Sequence, residues 1–281
     1  MRPTAAGVFR GAASLMMALW LGTAAVAQSP RLKNIELCNG GDRSSPDFQI
    51  NGCTALIESS GETATTLAIA RNNRGNAYTA NQEYDRAIQD YDESIKLNPG
   101  YARAFNNRGV AYQKKGEHDR AIEDLDRSIQ INPNYAGAFA NRAEAYQSKG
   151  EYGRAGQDYD EAIRLQPTLE AVWNGRCWNR TILGELQAAL ADCNEALRLE
   201  PNAPATLDSR GFTYLKMGQW DSAIADYGSA LRRDPRLASS LYGRGVARLN
   251  KGDRSGGNAD IAAAKAIKPA IAEEFAHYGV Q

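Results

Sequence analysis

An all-α solenoid of about six helix-turn-helix repeats is the fold class this sequence predicts, and three observations predict it. Prolines recur every 34 residues, at Pro99, Pro133, Pro167, Pro201, Pro235 and Pro269. Small residues recur at two other places in the same frame. No stretch carries the alternating pattern of a strand. A fixed period of this length overrides the one or two globular domains that 281 residues would otherwise imply.

The chain opens outside the repeat. Arg2 and Arg10 give a positive start, Ala12 to Val26 is mostly apolar, and Ala25-Val26-Ala27 has the small-x-small form of a cleavage site, so residues 1–27 read as a secretory signal peptide. Cleavage after Ala27 takes two arginines from a balance of 33 Lys+Arg against 33 Asp+Glu, leaving 31 and 33 and a formal charge of −2. An uncleaved anchor is the rival reading, but a span needs about 20 apolar residues and this run is short. No later segment is apolar enough to cross a bilayer, so no stable span is expected after signal removal. Near-neutral charge argues against nucleic acid as partner. The expected location is exported, periplasmic or secreted.

Four cysteines, Cys38, Cys53, Cys177 and Cys193, form two close-spaced pairs, 15 and 16 residues apart. Export would put them where disulfides form, with three connectivities open. Zinc is the rival, weakened by the lack of CxxC pairs or neighbouring histidines.

From residue 68 the units run 68–101, 102–135, 136–169, 170–203, 204–237 and 238–271, with proline at position 32. Position 8 carries Gly75, Gly109, Ala143, Cys177, Gly211 and Gly245; position 20 carries Ala87, Ala121, Ala155, Ala189, Ala223 and Gly257. Two helices can meet across these small surfaces. Between them, position 15 is Gly116, Gly150, Gly184, Gly218 and Gly252, with Gln82 in the first unit, and glycine there suits the left-handed turn that ends a helix. Bulky side chains fill the space between helices: Tyr78, Tyr112, Tyr146 and Tyr214 at position 11, and Tyr91, Leu125, Tyr159, Cys193, Tyr227 and Ile261 at position 24.

In these residues the chain resembles the tetratricopeptide repeat family, whose 34-residue frame combines glycine, tyrosine, alanine and a closing proline. The resemblance covers about residues 68–271 and implies a right-handed α-solenoid. Arg180 and Arg248 depart from it at position 11, and Ser255, Gly256 and Gly257 weaken the last second helix. One hairpin cannot bury its own apolar face, so the stack needs covered ends. Residues 28–67 fit an irregular N-terminal cap, with Leu32, Ile35 and Cys38 on one helical face and Cys53, Leu56 and Ile57 on another; residues 272–281 fit a C-terminal capping helix whose Phe275 and Tyr278 cover the last hairpin. A Cys38–Cys53 disulfide would staple the first cap. Antiparallel packing inside unit four would bring Cys177 to Cys193, with two buried thiols as the alternative.

Position 7, usually leucine in the resembled family, is arginine throughout: Arg74, Arg108, Arg142, Arg176, Arg210 and Arg244. Position 23 is aspartate throughout: Asp90, Asp124, Asp158, Asp192, Asp226 and Asp260. A structural ladder of bidentate ion pairs is expected. A row of arginines gripping acidic ligands is the rival, but matched acids would neutralise it.

The resemblance implies a concave groove lined by the first helices, with positions 2, 5, 9, 12 and 13 facing it. Carried over, its first half is polar: Asn72, Asn76, Arg103, Asn106, Gln113, Lys114, Glu144 and Gln147. Its second half is Asn174 and then an apolar stretch of Trp178, Phe212, Leu215, Tyr242, Val246 and Leu249, unusual for a surface that meets only water. Asn73, Asn107 and Asn141 extend the polar end, either holding a peptide backbone or satisfying neighbouring backbone groups. The carboxylate-binding lysine, asparagine and arginine set of some family members is matched only in part, by Arg103, Asn76 and Asn107.

No catalytic constellation interrupts the repeat. His118 and His277 stand alone, the acids of the second helices follow the period as a solvated face would, and no phosphate loop is present. No catalytic residue, metal or cofactor is therefore expected. The expected function is a non-catalytic scaffold holding a protein or extended peptide, in an envelope assembly or secretion role. A chaperone-like holder of exported clients and a small-ligand carrier are the alternatives.

Overall fold

The computed structural model describes residues 30–41 and 45–280; the signal peptide expected at residues 1–27 lies outside them. All the elements among the described residues are helices. Six antiparallel hairpins follow one another: α3 (Ala64–Ala80) with α4 (Tyr84–Leu97), α5 (Ala102–Lys114) with α6 (His118–Ile131), α7 (Ala136–Ser148) with α8 (Tyr152–Leu165), α9 (Glu170–Leu183) with α10 (Leu186–Leu199), α11 (Pro204–Lys216) with α12 (Trp220–Arg233), and α13 (Ala238–Asn250) with α14 (Arg254–Ile267). Before them stand α1 (Pro30–Cys38) and α2 (Pro46–Glu58), and after them the short α15 (Ile271–His277). No described helix is long and apolar enough to cross a membrane.

The turn within each hairpin has one recurring solution. Gly116, Gly150, Gly184, Gly218 and Gly252 all take a positive φ, between 70° and 89°, which glycine adopts without a Cβ penalty. Gln82 does the same work at φ 62°. The second helix keeps its alanine against the first, and Ala87, Ala121, Ala155, Ala189 and Ala223 are fully buried. In the sixth hairpin, α14 runs unbroken through Gly256 and Gly257 because the Asp253 side chain caps it, accepting from the Gly256 N–H.

Each first helix touches the first helix of the next unit, whereas among the described residues the second helices touch first helices and not one another. The first helices are therefore the tighter, inner layer of a curved stack. Its core is a chain of clusters handed from unit to unit, in keeping with a fold stabilised by nearest-neighbour contacts.

Two disulfides fasten it. Cys38 bonds Cys53 between α1 and α2, within a small core of Leu56, Ala70, Ile35 and Ile57. Cys177 bonds Cys193 between α9 and α10, where other units place a small residue against a bulky one. Both pairs are buried, so no described cysteine is a free thiol or a metal ligand.

Candidate interaction groove

The position-7 arginines and position-23 aspartates meet in all six units. The Nε and one terminal nitrogen of Arg74, Arg108, Arg142, Arg176, Arg210 and Arg244 donate to the two oxygens of Asp90, Asp124, Asp158, Asp192, Asp226 and Asp260, at 2.6–2.9 Å. The aspartates are buried. Sequence reasoning missed the third member. The remaining nitrogen of each inner arginine reaches back to position 25 of the preceding unit: Arg108 to Asp92, Arg142 to Asp126, Arg176 to Asp160 and Arg210 to Asn194. Each guanidinium thus rivets two units together. For Arg108, burial opposes its charge, but the two carboxylates outweigh it and hold its pKa up. Burial, the largest influence, and the nearby Asp92 charge raise the Asp124 carboxyl against the pull of Arg108. The departures at position 11 join the same system, for Arg180 donates to Asp192 and Arg248 to Asp260. The four inner arginines are thus bonded on both sides and present no free edge to an acidic ligand, whereas Arg244, with Gly228 at the matching place of the preceding unit, bonds only Asp260 among the described residues.

A second cation series is also absent from the sequence reading. Arg86, Arg120 and Arg154 lie over the rings of Tyr78, Tyr112 and Tyr146, at 3.9–4.0 Å from the centroids, while donating to the phenol oxygens. A spacing of 8 residues between tyrosine and arginine is its signal.

The polar half of the concave face is a connected row of carboxamides. Asn107 Nδ2 donates to Asn72 at 3.0 Å and Asn76 at 2.9 Å; Asn141 Nδ2 donates to Asn106 at 2.8 Å; Asn106 donates to Asn107, and Asn73 to Asn39. Apart from the Asn106–Asn107 bond within α5, these bonds join carboxamides of successive units or reach the N-terminal cap. Each carboxamide has two donor hydrogens and two acceptor lone pairs, so such bonds leave capacity for a ligand. Asn72 and Asn106 are buried, and Asn76 and Arg103 are exposed. Further along, Gln113 donates to Glu144, and Lys114 lies near enough to pull the Glu144 carboxyl down. Although Glu144 is open to solvent, the walls of the groove withdraw water from it and push that carboxyl up overall. Gln147 belongs to packing instead: it accepts from the Tyr159 hydroxyl and donates to the Gly175 carbonyl.

The apolar half corrects the expectation drawn from sequence. Phe212 and Tyr242 are not open groove surface but are 1% and 8% exposed, and Trp178 is half-buried. The cover is α15. Its Phe275 ring lies 4.7 Å from Tyr242 and 5.5 Å from Phe212, and Tyr278 stands edge-on to Trp178 at 5.3 Å. Leu215 and Val246 are buried in the same cluster, and Asn174 keeps a buried Oδ1 with no hydrogen-bond partner. Small residues explain why the asparagine row stops before this half. Position 6 becomes Gly175, Ser209 and Gly243, and at the two glycines the rings of Tyr159 and Tyr227 lie so close that a Cβ would fall 2.7 Å and 2.3 Å from them.

His118 begins α6 with its Nδ1 buried, and His277 ends α15 beside Tyr278. No group of three or more described His, Cys, Asp or Glu residues is arranged to hold a metal ion.

Sequence profiles of the TPR repeat match residues 75–116 and 211–252, and tetratricopeptide repeat profiles match 102–135 and 136–169. This chain belongs to the tetratricopeptide repeat family. Among solved structures, a tetratricopeptide repeat protein from Parabacteroides merdae is similar to this TPR chain with TM-score 0.66 and 19% identity, over 87% of this chain and 95% of that one. PilW, described as a widely conserved type IV pilus biogenesis factor, gives TM-score 0.66 and 19% identity over 72% and 94%. YrrB, described as a TPR protein with an unusual peptide-binding site, gives 0.51 and 20% over 65% and 94%. At these identities the likeness is one of fold. No curated protein matches the chain significantly.

Proposed function

We propose that this TPR protein is a non-catalytic scaffold of the cell envelope that holds an extended segment of another protein against the polar half of its concave face. One observation carries the reading: Asn72, Asn76, Asn106, Asn107 and Asn141 form a continuous carboxamide row across three first helices, spaced by the repeat. Amides set in a row suit a peptide backbone, whose own donors and acceptors repeat along its length. Arg103, Lys114 and Glu144 flank the row and supply charge selectivity. The two buried disulfides support an oxidising compartment, and so export and signal cleavage at Ala27. An assembly or secretion role fits this location, and the fold is shared with a type IV pilus biogenesis factor.

The test is affinity capture from an envelope extract. The bait is the chain from Gln28, and the control is Arg103→Glu/Lys114→Glu, which alters exposed side chains and leaves the core intact. A protein retained by the first bait and lost from the second, with equal helicity, supports the reading. Equal retention on both removes the polar half as the binding surface.

A further inference from the structure

The helix α15 does more than cover an end. Capping the last hairpin requires contact with α13 and α14, and α15 touches both. Yet its side chains also run back along the concave face, over Phe212 of unit five to Trp178 of unit four. Ile271, Phe275 and Tyr278 fall at i, i+4 and i+7, one stripe of a helix, and Ile271 and Phe275 are 1% and 5% exposed. Their receptor is built from three successive first helices, each giving one ring: Trp178, Phe212 and Tyr242. Beside it Lys216 donates to the Tyr278 carbonyl at 3.2 Å, where a cation suits the last carbonyls of a helix. Burial lowers the Lys216 pKa. Aromatic anchors in a desolvated groove, with a cation set for a helix end, are the composition of a helix-binding site.

The occupant is short and is held mainly by apolar contact. It has seven helical residues, too few to stay helical in water without docking, and it is joined to α14 through Lys268, Pro269 and Ala270. Two polar ties fasten it, from Lys216 to the Tyr278 carbonyl and from Lys268 to Glu274, the latter exposed; the rest of its hold is apolar.

We propose that the aromatic half of the groove is a docking site for a short helical segment of a partner protein with apolar side chains at i, i+4 and i+7. Residues Ile271–Val280 are its resident occupant, which such a partner displaces. The inference rests on the concave face being the partner surface, but it concerns units four to six and not the asparagine row. A partner reaching both halves would dock its helix here and lay an extended stretch across units one to three.

Two measurements on the mature chain test it. Hydrogen exchange on the wild type should show α15 amides opening at least ~10-fold faster than those of α13 and α14, as a separately undocking segment does. Alongside, a fluorescein-labelled peptide of residues 270–280 is titrated into the wild type and into Phe275→Ala/Tyr278→Ala. Weakening the resident should tighten binding of the added peptide by at least ~10-fold, because an occupied site lowers apparent affinity in proportion to its closed fraction. Exchange of α15 only with global unfolding would overturn the proposal by making it an integral cap. Unchanged peptide affinity in a folded double variant would do the same. Should that variant fail to fold, the wild-type exchange alone decides. Loss of a captured protein on Arg103→Glu/Lys114→Glu with no peptide binding would leave the scaffold reading standing and remove this one; the reverse would do the opposite.

Discussion

Phe212 and Phe275 meet edge to face with their centroids 5.5 Å apart, joining the fifth unit to the last helix across the concave face. Phe212 is therefore core in this chain, at a position where the repeat frame places groove surface. Phe212→Ala should lower the unfolding free energy by about 3 kcal/mol, the usual scale for emptying a buried phenylalanine site. Urea denaturation followed by circular dichroism measures it. A loss under about 1 kcal/mol would mean that α15 leaves the ring open to water.

Arg108 joins Asp124 of its own unit to Asp92 of the one before. Arg108→Ala leaves the Asp124 carboxylate buried and unpaired, and should cost about 3 kcal/mol. The double variant Arg108→Met/Asp124→Leu should recover most of that loss, since it removes the stranded charge. A double variant as unstable as the single one would show that the bridge to Asp92, not charge pairing at Asp124, carries the stability.

Gln82 holds a left-handed turn that glycine holds in the other five units. Gln82→Gly should stabilise the chain by about 1 kcal/mol, the scale of the Cβ penalty in that region. Thermal unfolding of the two proteins side by side is sufficient. An unchanged or lower melting temperature would mean that the Gln82 side chain offsets its backbone strain.

The Cys177–Cys193 bond closes a loop between sequence neighbours 16 residues apart. Removing it by Cys177→Ala/Cys193→Ala should cost about 3 kcal/mol on the chain-entropy scale, while the other disulfide remains. Mass spectrometry of non-reduced peptides from the chain beginning at Gln28 should show both bonds and no free thiol.

Asp208 lies on α11 with Ser239 and Ser240 of α13, Tyr227 of α12 and Glu274 of α15 around it. Burial pushes its carboxyl up to about 6, Glu274 adds to this, and the two serines pull it down. The folded chain therefore holds this proton more tightly than the unfolded chain, whose aspartate titrates near about 4. Stability should rise as pH falls from about 6 towards about 4, and the penalty of the buried charge should be fully present above that window. Asp208→Asn keeps a partner for Ser240 and should flatten this segment of the profile. A slope unchanged by the substitution would assign the effect to other groups.

Much of the fold was legible because the information is local and repeated. A proline, a small residue and a bulky residue at fixed offsets define a hairpin wherever they recur, and six copies leave little room for another reading. The Arg108–Asp124 pairing and its five equivalents followed the same logic, since 16 residues carry the chain from one helix to its antiparallel neighbour. Cys177 and Cys193, at the same offset, were legible for that reason.

The sequence by itself thus determined the repeat and the hairpins, and made the ladder within each unit and the two cysteine pairs expectations with rivals. Only the tertiary structure decided what lies between units and what lies outside the period. The link from Arg108 to Asp92 and the bonds from Asn107 to Asn72 and Asn76 depend on how far each unit is displaced from the last, which no single unit specifies. The burial of Trp178, Phe212 and Tyr242 under Phe275 and Tyr278 depends on a segment with no counterpart in the repeat. Its position is set by the curvature of the whole stack, which folds the last helix back towards residues far upstream. Curvature is summed over every interface, and so it is a property of the assembled solenoid and not of any stretch of its sequence.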